Sequence, residues 1–275
     1  MAFFPSKKVV ITPATLLLVL FLLISSSSAQ LSDKFYAKSC PQLLDIVKSV
    51  VQSAIEESRM GASLLRLHFH DCFVNDAMDQ TSWTTRLRLM GRTAESNKNS
   101  ARGFEVVDHI KTAVEKKCPG VVSCADILAI AARDSVVLLE GPFWEVKLGR
   151  TDAKYASLNA ANKGIPLSNW TLQDINSTFN ALGLSTKDLV ALSGLRRIFH
   201  KPGAHTMRQD RESNFGRSLD RQTQIKFNNN YFSNLDVTTS ACEKKFLEVE
   251  QTKSIATTYS NNVNDFNKDF ADAMI

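Results

Sequence analysis

Arg66 and His70 stand four residues apart in the run Leu64-Leu65-Arg66-Leu67-His68-Phe69-His70-Asp71-Cys72-Phe73-Val74-Asn75. On a helix this spacing puts a permanent cation and an imidazole on one face, one turn apart. An imidazole can move a proton near neutral pH, and a guanidinium beside it can hold the negative charge that develops meanwhile. A half-buried helix with a chance Arg/His pair has the same spacing, so the pair alone does not decide. Zinc chemistry at His68 and His70 fails on geometry. Residues two apart on a helix do not face each other, and no Cys/His set of suitable spacing follows.

The elements that must position these groups read as helices. Leu43, Leu44, Val47, Val50, Val51, Ala54 and Ile55 form an apolar stripe at i, i+3, i+4 and i+7. Ala125 to Leu139 is rich in Ala, Ile, Leu and Val and suits a buried central helix, and Asp108 to Lys116 and Leu172 to Leu182 carry helical spacing. Asn162 to Asn169, with Gly164 and Pro166, breaks the pattern and reads as loop. Without an internal repeat or a strand-rich segment, the periodicity predicts an all-α domain.

Residues 1–29 read as a secretory leader. Lys7 and Lys8 form its basic part, Leu16 to Ile24 its apolar part, and Ser27-Ser28-Ala29 a small-residue cleavage site before Gln30. The apolar run is short for a membrane span. Removing the leader from the 275 residues leaves 246, enough for one large domain at 30–275, and the loss of two lysines takes the net charge from +5 to +3. This mild excess permits contact with anionic cell-wall polysaccharide, while no Lys/Arg block points to nucleic acid. Secretion permits disulfides, and five cysteines leave at least one thiol unpaired within the chain. Asn169-Trp170-Thr171 and Asn176-Ser177-Thr178 both have the pattern of an N-glycosylation acceptor.

The run from Leu64 to Asn75 closely resembles the distal haem helix of the class III secretory plant haem peroxidases. Further blocks carry the same resemblance in order: Asn97 to Phe104, Val122 to Asp134, Gly141-Pro142-Phe143-Trp144, Leu148-Gly149-Arg150, Asp188 to Gly194, Asn229 to Leu235 and Phe270 to Ile275. It implies a haem-peroxidase fold of two helical lobes with haem b between them, oxidising small phenolic donors with hydrogen peroxide and working as a secreted monomer in the cell wall or vacuole. By match of motif, His70 is the distal base, Arg66 the charge stabiliser, Phe69 a pocket wall and Asn97 the acceptor that fixes the His70 tautomer. Pro166 matches the donor-binding proline, and His205, in Gly203-Ala204-His205-Thr206, the axial iron ligand. Cys40 and Cys118 match a disulfide pair. Asp71, Val74, Asp76 and Asp79 fall at the distal calcium site, and Thr206, Asp220, Thr223 and Asn228 at the proximal one.

The chain also departs from the family's pattern. Ala77 stands where the partner of Cys72 is expected, and the partner of Cys124 would lie in a C-terminal segment beyond Ile275. Leu195 to Pro202 interrupts the approach to His205 and makes His200 a rival axial ligand. The acid expected to support the axial histidine falls near Lys245, with Glu243 the nearest carboxylate. Met78 and Gly91 replace calcium-site acids, and Asn228 replaces an aspartate. These departures set an inactive or haem-poor secreted glycoprotein as the alternative.

One departure has a simple origin at the nucleotide level. The family's Gly-Cys-Asp-Gly-Ser, encoded GGATGCGATGGATCA and read one base later, gives Asp-Ala-Met-Asp and then CA, which a following purine completes to Gln, the sequence of residues 76–80. Sequencing the coding DNA is expected to reveal Gly-Cys-Asp in the alternative frame, with the family-like frame restored near Thr93. A gene lacking it makes this loop a true divergence.

Overall fold

Capping and burial place the helices where the apolar periodicity puts them. The structure is a computed structural model that describes residues 31–57, 59–74, 97, 101–152, 158–167, 169–194, 226–235 and 241–275. The leader at 1–29 lies outside the described residues. Helix α1 spans Leu43–Ala54 and buries Leu43, Val47 and Val51, one residue per turn. Helix α2 spans Met60–Cys72 and carries the Arg66/His70 face, and α3 spans Phe104–Glu115. Helix α4, Cys124–Leu138, starts where the Ser123 hydroxyl accepts from the Asp126 N–H at 3.1 Å. Its residues from Cys124 to Val136 are all buried, as an interior helix requires.

The second half continues with α5, Leu158–Gly164; α6, Leu172–Ala181; and α7, Thr186–Ser193. Both α6 and α7 open with a reciprocal capping box, Thr171 with Asp174 and Ser185 with Asp188. Then follow α8, Asn230–Ser233; α9, Ala241–Glu248; α10, Glu250–Asn261; and α11, Val263–Ala273. One expectation needs correction. The segment 162–169 is not all loop, because α5 runs through Gly164 before the chain leaves the helix at Ile165 and Pro166. The breakers end a helix here; they do not exclude one upstream of them.

Packing sorts the helices into two groups. Helices α1 to α4 pack on one another, with α2 along α4, while α6 to α11 form a second set centred on α10 and its neighbours. The sets meet through Phe73 against Phe179, Trp144 against Phe270, and the Phe227 N–H on the Leu139 carbonyl at 2.8 Å. This matches an all-α, two-lobed peroxidase fold. Among the described residues β-pairing is limited to one antiparallel bridge, Ser32 with Leu148. No described helix is long and apolar enough to cross a membrane. Cys40 and Cys118 are bonded across a sequence separation of 78, fastening the segment before α1 to the end of α3, while Cys72 and Cys124 are free.

Asp126, on the first turn of α4, has no solvent exposure. One carboxylate oxygen accepts from the Tyr36 hydroxyl at 2.8 Å, the Gly149 N–H at 2.7 Å and the Arg150 N–H at 3.1 Å; the other accepts from Arg150 Nη1 at 3.1 Å. Three separate stretches of chain thus converge on one buried charge. Asp126→Ala is expected to cost about 3–5 kcal/mol, since it removes the buried carboxylate of the pair with partly buried Arg150 and takes the acceptor from the Tyr36 hydroxyl and the Gly149 and Arg150 N–H groups. Chemical denaturation followed by circular dichroism measures this; a loss below about 1 kcal/mol would show the network to be dispensable.

Candidate active site

Arg66, Phe69 and His70 reach their places because the other face of α2 is apolar. Leu64, Leu65 and Leu67 are buried, and α2 lies along α4. Burial fixes the helix's rotation and turns Arg66 and His70 to a common side. Arg66 Nε donates to His70 Nε2 at 3.2 Å. On the other side of the ring, His70 Nδ1 bonds Asn97 Oδ1. An amide oxygen can only accept, so Nδ1 carries the proton and Nε2 presents its lone pair. Arg66, which can only donate, demands the same tautomer. Burial, with only 8% of His70 exposed, and then the Arg66 charge push the His70 pKa down to about 3, against a smaller opposing effect of the Asn97 bond. The imidazole is therefore neutral at any ordinary pH.

Asn97 arrives from a different part of the chain. The Ala101 N–H donates to its carbonyl at 3.0 Å. Gly103 precedes α3 with φ +91°, in the left-handed region that favours glycine. A Cβ there would lie in van der Waals contact with Leu64, Met60 and Leu67 of α2. The segment carrying Asn97 is thus docked closely on the helix carrying His70.

An aromatic wall stands beside this pair. Phe69 stacks near Phe73 with centroids 4.3 Å apart, and Phe179 of α6 lies 4.8 Å from Phe73 and 6.2 Å from Phe69. Sequence reasoning missed Phe179, whose only signal was a place on the apolar stripe of its helix. It also read Gly164 merely as a breaker. A Cβ on Gly164 would land on the Phe73 carbonyl oxygen, so the end of α5 touches the end of α2 backbone to backbone. This close approach brings half-buried Pro166 into the neighbourhood of the distal helix. His68, on the other face of α2, has Nε2 3.8 Å from the Cys72 sulfur and a buried Nδ1 without a hydrogen bond. Burial and then Arg150 lower its pKa to about 4, while burial and then Asp71 push the Cys72 thiol up to about 12. An imidazole and a thiol held neutral in this way are structural neighbours of the site rather than reactive groups.

The remaining expected ligands are only partly placed. Asp71 ends α2, and the Val74 N–H donates to its carbonyl at 3.2 Å. Asp76, Asp79, His200, His205, Thr206, Asp220 and Thr223 lie outside the described residues. Asn228 Oδ1 accepts from the Asn230 N–H at 3.0 Å, a local side-chain turn ahead of α8. Lys245 Nζ donates to the Trp170 carbonyl at 2.5 Å. Among the described residues no three His, Cys, Asp or Glu side chains group as a metal site.

Residues 47–262 match the family model described as peroxidase. The chain belongs to the peroxidase family. It is 47% identical over 295 residues to Peroxidase 4 of Vitis vinifera, covering 91% of this chain and 86% of that one. It is 46% identical over 282 residues to Peroxidase P7 of Brassica rapa subsp. rapa, covering 90% and 92%, and 43% identical over 288 residues to Peroxidase N of Armoracia rusticana, covering 91% and 86%. These relatives place it with the class III plant peroxidases, oxidoreductases that use hydrogen peroxide to oxidise donor molecules. They do not favour the inactive, haem-poor alternative. The family implies a haem. The described distal residues fit one: a buried neutral imidazole with its lone pair fixed, a guanidinium against it and an aromatic wall beside it form a donor set suited to bound peroxide.

The contact between α5 and α2 generates a test. Gly164→Ala forces two backbones apart and is expected to cost about 1–3 kcal/mol of stability. Thermal unfolding of the variant beside the wild type measures this, and an unchanged midpoint would show that the contact relaxes freely.

Proposed function

We propose that this peroxidase oxidises small phenolic donors with hydrogen peroxide, with His70 as the base that handles the peroxide protons. The observation that carries the reading is the pair of hydrogen bonds on His70, which together leave its Nε2 as a lone-pair acceptor. When bound, the haem supplies the iron that takes up the oxidising equivalents of peroxide and passes them to donors. His70 Nε2 accepts a proton from hydrogen peroxide and returns it to the departing oxygen. The peroxide O–H replaces Arg66 Nε as the donor to Nε2, which frees the guanidinium to face the negative charge on that oxygen. Asn97 holds the proton on Nδ1 throughout. Phe69, backed by Phe73 and Phe179, narrows the pocket so that peroxide enters and bulky donors stay at the edge. Pro166, at the end of α5, is the donor contact.

His205 is our candidate axial ligand and His200 its rival. Asp71, Val74, Asp76 and Asp79 are candidates for a distal calcium ion, and Thr206, Asp220, Thr223 and Asn228 for a proximal one. Both calcium sites are weakened relative to the family, by Met78 and Gly91 in one and by the uncharged Asn228 in the other. A secreted monomer acting in the cell wall, where its slight positive charge favours anionic polysaccharide, is the setting this reading supports. The vacuole is the other destination of the same route.

His70→Ala is expected to lower the rate of peroxide-dependent phenol oxidation by about 10²–10⁴-fold in haem-loaded enzyme, with haem absorption retained. Stopped-flow mixing with peroxide tests this, and a variant as fast as the wild type would remove His70 from the mechanism. The pH dependence has a definite sign. Both His70 and His68 have folded pKa values below the unfolded value, near 3 and 4. The unfolded chain therefore binds more protons, and stability falls as pH drops from about 6.5 towards 3. Unfolding midpoints across this range are expected to decline, and His68→Gln is expected to flatten the decline. Midpoints that rise on acidification would contradict the burial of these rings.

A further inference from the structure

We propose that Asn169 is the N-glycosylated residue of this chain and that Asn176, seven residues later, stays bare. Both lie in acceptor sequences, and the sequence alone does not separate them. Transfer joins the side-chain amide nitrogen to the anomeric carbon of a lipid-pyrophosphate-linked oligosaccharide. The C–N bond forms, the amide loses one proton, and the lipid pyrophosphate leaves. The acceptor amide and the hydroxyl two residues on must be presented together, and the attached glycan must then have a path to solvent.

Asn169 meets these requirements. It is exposed and lies before α6, in a turn closed by the Trp170 N–H on the Leu167 carbonyl at 3.2 Å. Its side-chain amide makes no hydrogen bond among the described residues. Thr171, which supplies the hydroxyl, is an extended N-cap with ψ 160°, so the acceptor sequence lies outside the helix. Trp170 is partly buried against the core, and Lys245 Nζ holds its carbonyl at 2.5 Å. These contacts fix the turn and leave Asn169 on its outer side. The mature glycoprotein can carry a glycan there without disturbing a packed contact.

Asn176 fails on two counts. It lies inside α6, where residues two apart project in nearly opposite directions, so Asn176 and Thr178 are not presented together. It is half-buried, and its Oδ1 accepts from the Thr186 hydroxyl at 2.9 Å, tying α6 to the start of α7. The hydroxyls do not separate the two sites, since Thr178 donates to the Asp174 carbonyl at 3.0 Å and Thr171 to the Asp174 carboxylate at 2.6 Å. A glycan on Asn176 would wedge between two packed helices. The capping box at Thr171 and Asp174 also favours early helix formation there, which shortens the time for which this acceptor is extended.

The test uses the full chain secreted from plant cells. An aspartate-directed protease cuts before Asp174 and separates the two asparagines. The peptides are then treated with an amide-cleaving glycosidase in ¹⁸O-water. The expected result is ¹⁸O-labelled aspartate at 169 and unlabelled asparagine at 176. Asn169→Gln abolishes the glycan-dependent gel shift, and Asn176→Gln leaves it unchanged. Translation with microsomes reads the same single shift without requiring secreted, folded protein. Label at 176, or an unmodified Asn169, overturns the proposal.

Discussion

Everything in the distal half rests on α4, and α4 is held at its head by the buried carboxylate of Asp126. A charge without solvent exposure is tolerable only if its lone pairs are filled, and here four donors fill them. The donors come from Tyr36, Gly149 and Arg150, so the N-terminal segment and the stretch after α4 are fixed to the same point. Arg150 also reaches the Lys147 carbonyl, and Asp152 accepts from the Cys124 and Ala125 N–H groups at the start of α4. The first turn of the central helix thus satisfies orphan donors with carboxylates, as its dipole favours. With α4 fixed, α2 has one flat apolar surface to lie on, and the direction of its polar face follows.

That polar face gains its chemistry from burial. In water an imidazole near pKa 6.5 would be partly protonated and a poor acceptor. Removing water and adding a guanidinium one turn away keeps it neutral, and the Asn97 bond selects which nitrogen is free. The cost is a cation and an imidazole held close together in a poorly solvated place, and the apolar face of α2 offsets it. The same surroundings hold the His68 ring and the Cys72 thiol neutral, so one helix carries a ring with a fixed acceptor nitrogen and a ring without that fixing, two residues apart.

The aromatic wall depends on the two helical sets meeting correctly. Phe179 comes from the second set and supports Phe73 and Phe69 of the first. Gly164 permits the backbone contact that carries Pro166 towards the distal helix. The aromatic wall is thus set at the seam between the sets, whereas the Arg66–His70 hydrogen bond is set within one.

The sequence by itself determined the helices, the family and the pairing of Arg66 with His70 on one face of α2. Period-3.6 stripes and the Arg66/His70 spacing are local properties; α1, α4 and α6 follow the predicted ranges closely, and α3 starts one turn earlier than its predicted Asp108, at Phe104 behind Gly103. The Cys40–Cys118 bond, implied by resemblance, is present. The helical end of 158–164 was hidden because Gly164 and Pro166 mark a boundary without saying which side is ordered. Only the tertiary structure decided the rest. Asp126 as a hub, Phe179 behind Phe69 and Gly164 against Phe73 join residues 23 to 110 positions apart, and no local pattern encodes those pairings. The same holds for the His70 pKa, which depends on how much water the finished fold excludes and which charge it leaves nearby.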